Sequence, residues 1–269
     1  MQVALENAKK RYGKLIALDA ISLDFPEKSV VAVLGLNGAG KSTLLRVMGG
    51  VCTLDKGHVR YDNEAFHRER IDLRKRLLFT PEVPFYFPDK SVLRNIAAFL
   101  HVFERPTIGR EQEIAALMDD MGIAELALRE AGRLSRGQTW KMAVACAAAV
   151  KPELWLVDEP FASGMDVAGL AGFRKVARGL ADAGGTVLYT TQLASLAVEF
   201  SDWVLLLNNG QVSRWEKTET IRAQLSQANG DVATLFPGLQ ETEVTKRKDQ
   251  EEDPEDEEDL EYDEDEDQD

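Results

Sequence analysis

Apolar residues in this chain fall into short unbroken runs, each closed by glycine or by polar side chains. Ser29 to Leu34 (SVVAVL) shows no polar–apolar alternation, so it predicts a strand buried on both faces, as parallel strands are. The run ELWLV before Asp158 and the run Thr186 to Tyr189 (TVLY) read the same way. Leu77 to Phe79 opens a strand that passes into a proline-rich loop. Between these runs the spacing becomes helical. Lys41 to Gly50, a segment beginning near Ser91, the stretch GREQEIAALMDDMGI, and Arg136 to Ala149 behind an N-cap at Ser135 all predict helices. Buried strands separated by helices predict an α/β domain built on a parallel sheet. Two pieces depart from that alternation. GHVRYDNEAF predicts a strand of a small antiparallel sheet, and WVLLLNNGQVSRW predicts a hairpin turning at Asn209-Gly210, the pair a type I′ turn favours. Lys217 to Gln240 predicts a short helix-rich end.

In such a fold the residues just past the carboxyl ends of the strands face ligands. After Leu34 comes GLNGAGKST, which matches GxxxxGK[ST] between a strand and a helix. Gly35, Asn37, Gly38, Ala39 and Gly40 form a loop whose backbone amides can cradle phosphate oxygens, and the following helix adds its N-terminal dipole. Lys41 brings a cation to the β- and γ-phosphates, the Ser42 hydroxyl suits Mg²⁺, and Thr43 continues the phosphate-facing turn. The second strand end carries Asp158 and Glu159. Beside a phosphate loop, Asp158 suits the metal and Glu159 suits the polarising of an attacking water.

Three further segments resemble the ATP-binding cassette (ABC) family across about residues 2 to 215. Leu134 to Met142 (LSRGQTWKM) resembles the family signature LSGGQ, with Arg136 in place of the middle glycine. Ser163 to Asp166 (SGMD) resembles the D-loop, and RYGKLIALDAIS resembles the N-terminal strand pair, with Tyr12 at the position that stacks on adenine. The resemblance implies an α/β P-loop NTPase with a RecA-like core, an N-terminal antiparallel β subdomain and an inserted helical subdomain. The first part of the core, with the β subdomain, spans 1–81. The helical subdomain spans 82–150, the rest of the core 151–240, and a disordered acidic tail 241–269. It also implies ATP and Mg²⁺ as cofactors. Ser135, Gly137 and Gln138 would meet the γ-phosphate held by a second such subunit, in a homodimer or a heterodimer. A separate integral membrane permease would dock on the helical subdomain, where Phe85, Tyr86 and Phe87 suit either a docking surface or the core.

Two further positions depart from the family pattern and bear on mechanism. Glu82 stands where the family carries a glutamine near the metal and the attacking water, and it is read as a metal ligand. Gln192 stands where the family carries a histidine that reaches the γ-phosphate. An amide donates a neutral hydrogen bond, weaker than a charge-assisted one. Loss of one transition-state donor costs on the order of 3 kcal/mol. Slow ATP hydrolysis, with Glu159, Lys41 and Gln192 as the catalytic groups, is the expectation.

Charge changes the picture once. The whole chain carries −14, but Glu241 to Asp269 holds 18 acidic and 3 basic residues, so the preceding body sits at +1. A near-neutral body gives no footprint for nucleic acid, and the tail reads as a solubilising appendage. Cys52 and Cys146 read as buried, reduced residues. Neither a signal peptide nor a membrane-spanning run is visible. The expected location is therefore cytoplasmic, peripheral on the inner face of the cell membrane through the permease and without direct insertion. The single cassette and the segment TPEVPFYFPDKSVLRN look most like the ABC-2 export type. The competing readings are a non-transport ABC ATPase and a slowly hydrolysing switch on a soluble partner.

Overall fold

The computed structural model describes residues 1–227 together with Leu235 and Phe236. The acidic tail, 241–269, and residues 228–234 and 237–240 of the helical end expected after Lys217 lie outside the described residues. The chain opens with β1 (Val3–Tyr12), β2 (Leu15–Phe25) and β3 (Val30–Leu34), then α1 (Lys41–Met48). Next come β4 (Lys56–Tyr61), β5 (Glu64–Ala65), the single turn α2 (Ile71–Arg74) and β6 (Leu77–Thr80). The segment that follows is helical throughout, with α3 (Val92–Val102), α4 (Glu111–Asp120) and α5 (Arg136–Val150). The chain continues with β7 (Leu154–Val157), α6 (Val167–Asp182), β8 (Thr186–Thr191) and α7 (Ala194–Phe200). It ends with β9 (Trp203–Asn208), β10 (Gln211–Lys217) and α8 (Thr218–Gln227).

Two sheets result. An antiparallel sheet has the order β2-β1-β4-β5, and a second has the order β10-β9-β3-β8-β7-β6. In the second, β9, β3, β8, β7 and β6 are parallel, and β10 alone runs antiparallel, beside β9. The registers Leu34↔Thr191, Val157↔Tyr189 and Thr80↔Val157 bring the carboxyl ends of four strands to one edge. Period-2 alternation divides each strand between two cores. Val30, Ala32, Leu34, Trp155, Val157, Val187 and Tyr189 face the helices α3 to α7. Val31, Val33, Leu154, Leu156 and Leu188 face α1 and the antiparallel sheet.

The helix α5 is apolar all round and buried on nearly every face, as such a composition requires. It accounts for the longest apolar run, and among the described residues no helix is long and apolar enough to cross a membrane. The hairpin turn at Asn209-Gly210 forms as expected, with φ of 46° and 77°. It is pinned to the phosphate-loop side of the molecule, because Gly210 donates its amide to the Ala39 carbonyl and accepts from the Asp19 amide. The aromatic trio splits: Phe85 is 68% exposed, and Tyr86 and Phe87 are half-buried. Cys146 is buried as expected, whereas Cys52 is only half-buried.

Trp155 packs edge-on against Phe173 and donates its indole N–H to the Thr80 hydroxyl at 3.0 Å, across β7 and β6. Trp155→Phe keeps most of the apolar contact but leaves the buried Thr80 hydroxyl without its donor. The expected loss is about 1–3 kcal/mol, or roughly 2–8 °C in thermal unfolding. The added change Thr80→Val should recover most of it.

Candidate functional site

The site begins with the short strand β3, which delivers Gly35 to the sheet edge. Leu36, Asn37 and Gly38 form an exposed rim, and the chain then returns under β2 at Gly40. Gly40 has φ of 106°, and a Cβ there would run into the Ala17 carbonyl, so glycine is required on two counts. Among the described residues the amides of Gly38, Gly40, Lys41, Ser42 and Thr43 make no hydrogen bond, leaving five donors at one helix N-terminus. That is the donor set a phosphate group takes.

Lys41 is 5% exposed. Its ammonium donates to the carbonyls of Gly35 at 2.9 Å and Leu36 at 3.2 Å, and lies 3.2 Å from Glu159 Oε1. Glu159 reaches this cation because its own backbone is left-handed, with φ of 50° and ψ of 52°. A non-glycine residue held there stores about 1–3 kcal/mol of strain, a common feature of functional sites. Burial pushes the Glu159 carboxyl above its ordinary range, and the Lys41 ammonium opposes that shift.

Asp158 is 1% exposed, and one oxygen of its carboxylate takes two donors. Oδ1 accepts from the Ser42 hydroxyl at 3.0 Å and from the Thr190 hydroxyl at 2.7 Å. Thr190 also accepts the Glu159 amide at 2.7 Å, so one strand residue positions both acids. In the sequence, Thr190 resembles any β-branched strand residue. Its only signal is a polar side chain one step before the end of a buried strand. Ser42 and Asp158 together form a hydroxyl–carboxylate pair. Among the described residues no group of three or more His, Cys, Asp or Glu side chains is placed to hold a metal. A hydroxyl and one carboxylate fit Mg²⁺, which keeps waters and phosphate oxygens as its other ligands.

Gln192 follows Thr191, the register partner of Leu34, so it stands beside Gly35, exposed. Tyr12 is exposed at the tip of the β1–β2 hairpin, where Lys10 lies 5.5 Å from its ring centroid. Glu82, expected among the metal ligands, is held from the side of α5. Its carboxylate accepts from the Arg136 guanidinium at 3.3 Å, and the Trp140 indole donates to its backbone carbonyl at 3.1 Å. Both contacts come from α5, so this helix holds the loop after β6.

Ser135 caps α5 as expected, through a full capping box with Gln138: the Gln138 amide donates to Ser135 Oγ at 3.2 Å, and the Ser135 amide donates to Gln138 Oε1 at 3.0 Å. The Ser135 hydroxyl hydrogen stays available for an outside acceptor. Among the described residues no hydrogen bond or ion pair joins Leu134–Gln138 to Gly35–Thr43. The signature and the phosphate loop of this chain are thus separate surfaces. Gly137 packs directly under the Gly164 carbonyl, leaving no room for a Cβ. Below it the buried Lys141 ammonium binds Asp166 Oδ2 at 2.7 Å. Asp166 also caps α6 by accepting the Gly169 amide at 2.8 Å, and the Lys141 bond holds its carboxyl below the ordinary range.

Known proteins resemble this arrangement. The sequence profile described as ABC transporter matches residues 18–162. The chain is 36% identical over 220 residues to the sulfate/thiosulfate import ATP-binding protein CysA of Acinetobacter baylyi, covering 80% of this chain and 62% of that one. It is 31% identical over 226 residues to the protein of the same name from Escherichia coli, covering 82% and 61%. The chain therefore spans about three fifths of the length of these relatives. A solved ATP-binding subunit of an ABC transporter matches the fold with a TM-score of 0.80 at 20% identity, covering 89% of this chain and 99% of that one. A dimeric ATP-binding cassette in a post-hydrolysis state, bound to ADP and Pi, matches with a TM-score of 0.71 at 25% identity, covering 80% and 98%.

The Lys141–Asp166 pair is asymmetric, since the lysine is buried and the carboxylate is exposed. Removing the aspartate strands a buried cation, whereas removing the lysine frees a carboxylate to water. Asp166→Ala is therefore expected to lose about 2–4 kcal/mol, including the helix cap. Lys141→Met is expected to lose under about 1 kcal/mol. Denaturant unfolding of both variants tests the ordering.

Proposed function

The chain belongs to the ABC transporter family, and on that premise we propose that it is an ATP-hydrolysing subunit that drives a separate membrane permease. The observation that carries the proposal is the joining of three strand ends through Ser42, Asp158 and Thr190, with Glu159 held 3.2 Å from Lys41. ATP with Mg²⁺ supplies the phosphoryl group and the charge neutralisation for its transfer. The chain's own groups do the rest. The free amides of the phosphate loop and the Lys41 ammonium hold phosphate oxygens, while Ser42 and Asp158 hold the metal. Glu159, buried and partly shielded by Lys41, orients a water and takes its proton. Gln192 offers a neutral amide donor to the developing charge, where a charged donor would be stronger.

A subunit of this kind works as a pair, with the Ser135 end of one chain facing the phosphates held by the other. Three exposed apolar side chains support that reading: Leu36 on the phosphate loop, Val167 after Asp166, and Leu193 after Gln192. The division into a core, a β subdomain and a helical subdomain over 82–150 belongs to the same proposal. So does a cytoplasmic position at the inner membrane face through the permease, with the exposed Phe85 in the docking surface. The direction of transport is a separate matter. The export-type likeness rests on the single cassette, the compact helical subdomain and Thr80–Asn95, and gains no support from relatives named for sulfate/thiosulfate import.

Magnesium-dependent ATP turnover by the purified chain tests the proposal. Wild type should turn over slowly, Glu159→Gln should bind ATP without turnover, and Gln192→His should accelerate turnover by about ten- to a hundredfold. Equal rates for wild type and Glu159→Gln would overturn the motor reading in favour of an ATP-binding switch.

A further inference from the structure

Arg11 to Ile16 (RYGKLI) are exposed in six consecutive positions at the tip of the β1–β2 hairpin. Three of them are large apolar side chains, with Leu15 at 62% exposure beside Tyr12 and Ile16. The same tip is strongly cationic. Lys9, Lys10, Arg11 and Lys14 lie on it, and Lys56 is the register partner of Lys9. Its opposing carboxylates are Asp19, bound by Lys9 at 2.9 Å, and Asp55, bound by Lys10 at 3.4 Å. Among the described residues the side chains of Arg11, Lys14 and Lys56 make no ion pair. Around α2, Arg70 pairs with Glu64 and Asp72, and Arg76 pairs with Asp62 and Glu153, while Arg68 and Arg74 make no ion pair among the described residues.

The acidic end follows Phe236 by 13 residues in the sequence. Phe236 is buried under Arg214 of β10, at 5.5 Å from the guanidinium to the ring. The same strand reaches β2 through Gln211, which donates to Asp19 at 3.0 Å. Beyond Asp249 the sequence is almost wholly acidic, with Leu260 and Tyr262 as its large apolar side chains. A chain of the length from Phe236 to Leu260 reaches up to about 80 Å. Tethering holds such a segment at an effective concentration on the order of 1 mM.

We propose that Asp249–Asp269 docks in cis on the hairpin tip. Its carboxylates meet Arg11, Lys14 and Lys56, and Leu260 and Tyr262 cover Leu15 and Ile16. Because Tyr12 lies in the covered surface, the docked tail competes with the nucleotide base. That competition rests on the reading of Tyr12 as the base platform, whereas the docking does not.

Carbodiimide cross-linking of the full chain, read by mass spectrometry, tests the docking. Cross-links from Lys14 and Lys56 to tail carboxylates are expected at about 0.05 M salt and should be lost at about 0.5 M. They should also fall at least about threefold in Arg11→Glu. Cross-links spread evenly over Lys28, Lys90 and Lys175, or formed between copies of the chain, would overturn the proposal. Competition is read from the affinity of a fluorescent ATP analogue. The full chain with its tail carboxylates changed to amides should bind the analogue about three- to tenfold more tightly than wild type. Hairpin-specific cross-links with unchanged affinity would uphold the docking and overturn the competition, placing the fault in the role given to Tyr12. Absent cross-links with normal nucleotide binding would overturn the docking alone.

Discussion

The arrangement of this molecule depends on one buried carboxylate. Asp158 is removed from water at the end of β7, and an ionised carboxylate in that position is costly unless donors surround it. The donors come from two directions, Ser42 at the start of α1 and Thr190 inside β8. Satisfying the charge therefore fixes the helix after β3 against the two neighbouring strands, and with it the position of the phosphate loop. The next residue, Glu159, turns left-handed and reaches Lys41. Local strain, a buried acid and a buried cation are thus held together at the edge where four strands end.

The helix α5 connects this edge to the helical segment. Its apolar surface from Met142 onward lets it sit inside the larger core, against α3, α4 and α6. Only its first turns carry polar work. Ser135 and Gln138 close the capping box, Arg136 and Trp140 hold the Glu82 loop, and Lys141 holds Asp166. Packing around α5 is apolar and short-ranged, so its displacement would move the Glu82 loop and the Asp166 turn together. The glycine pair Gly137 and Gly164 allows that contact at backbone distance.

Much of this was legible in the sequence, and the exceptions share a cause. The buried strands, the phosphate loop, the cap at Ser135 and the Asn209-Gly210 turn each follow from a local pattern, and each forms where expected. Thr190, Lys141 and the Glu82–Arg136 pair do not follow from local patterns. A threonine in a strand and a lysine on a helix have ordinary local readings, and only tertiary contact reveals that one is buried against Asp158 and the other against Asp166. The split of Phe85 from Tyr86 and Phe87 is similar, because loop exposure depends on what packs beneath it. The tail has an unmistakable composition, but composition alone names no surface for it to meet.

The two departures at Glu82 and Arg136 have a joint explanation. Read separately, one adds a negative charge near the metal and the other adds a positive charge at the signature. The structure brings them to 3.3 Å, so the sum over the two positions is the neutral one the family pattern carries. Both side chains are more than half exposed, and an exposed pair contributes at most about 1 kcal/mol to stability. Burial is the main cause of the raised Glu159 carboxyl, and the Glu82 charge adds a smaller push in the same direction. A change at either position alone leaves the other charge without its partner. The pair is therefore neutral as a unit, and among the three departures Gln192 alone makes no side-chain contact with another.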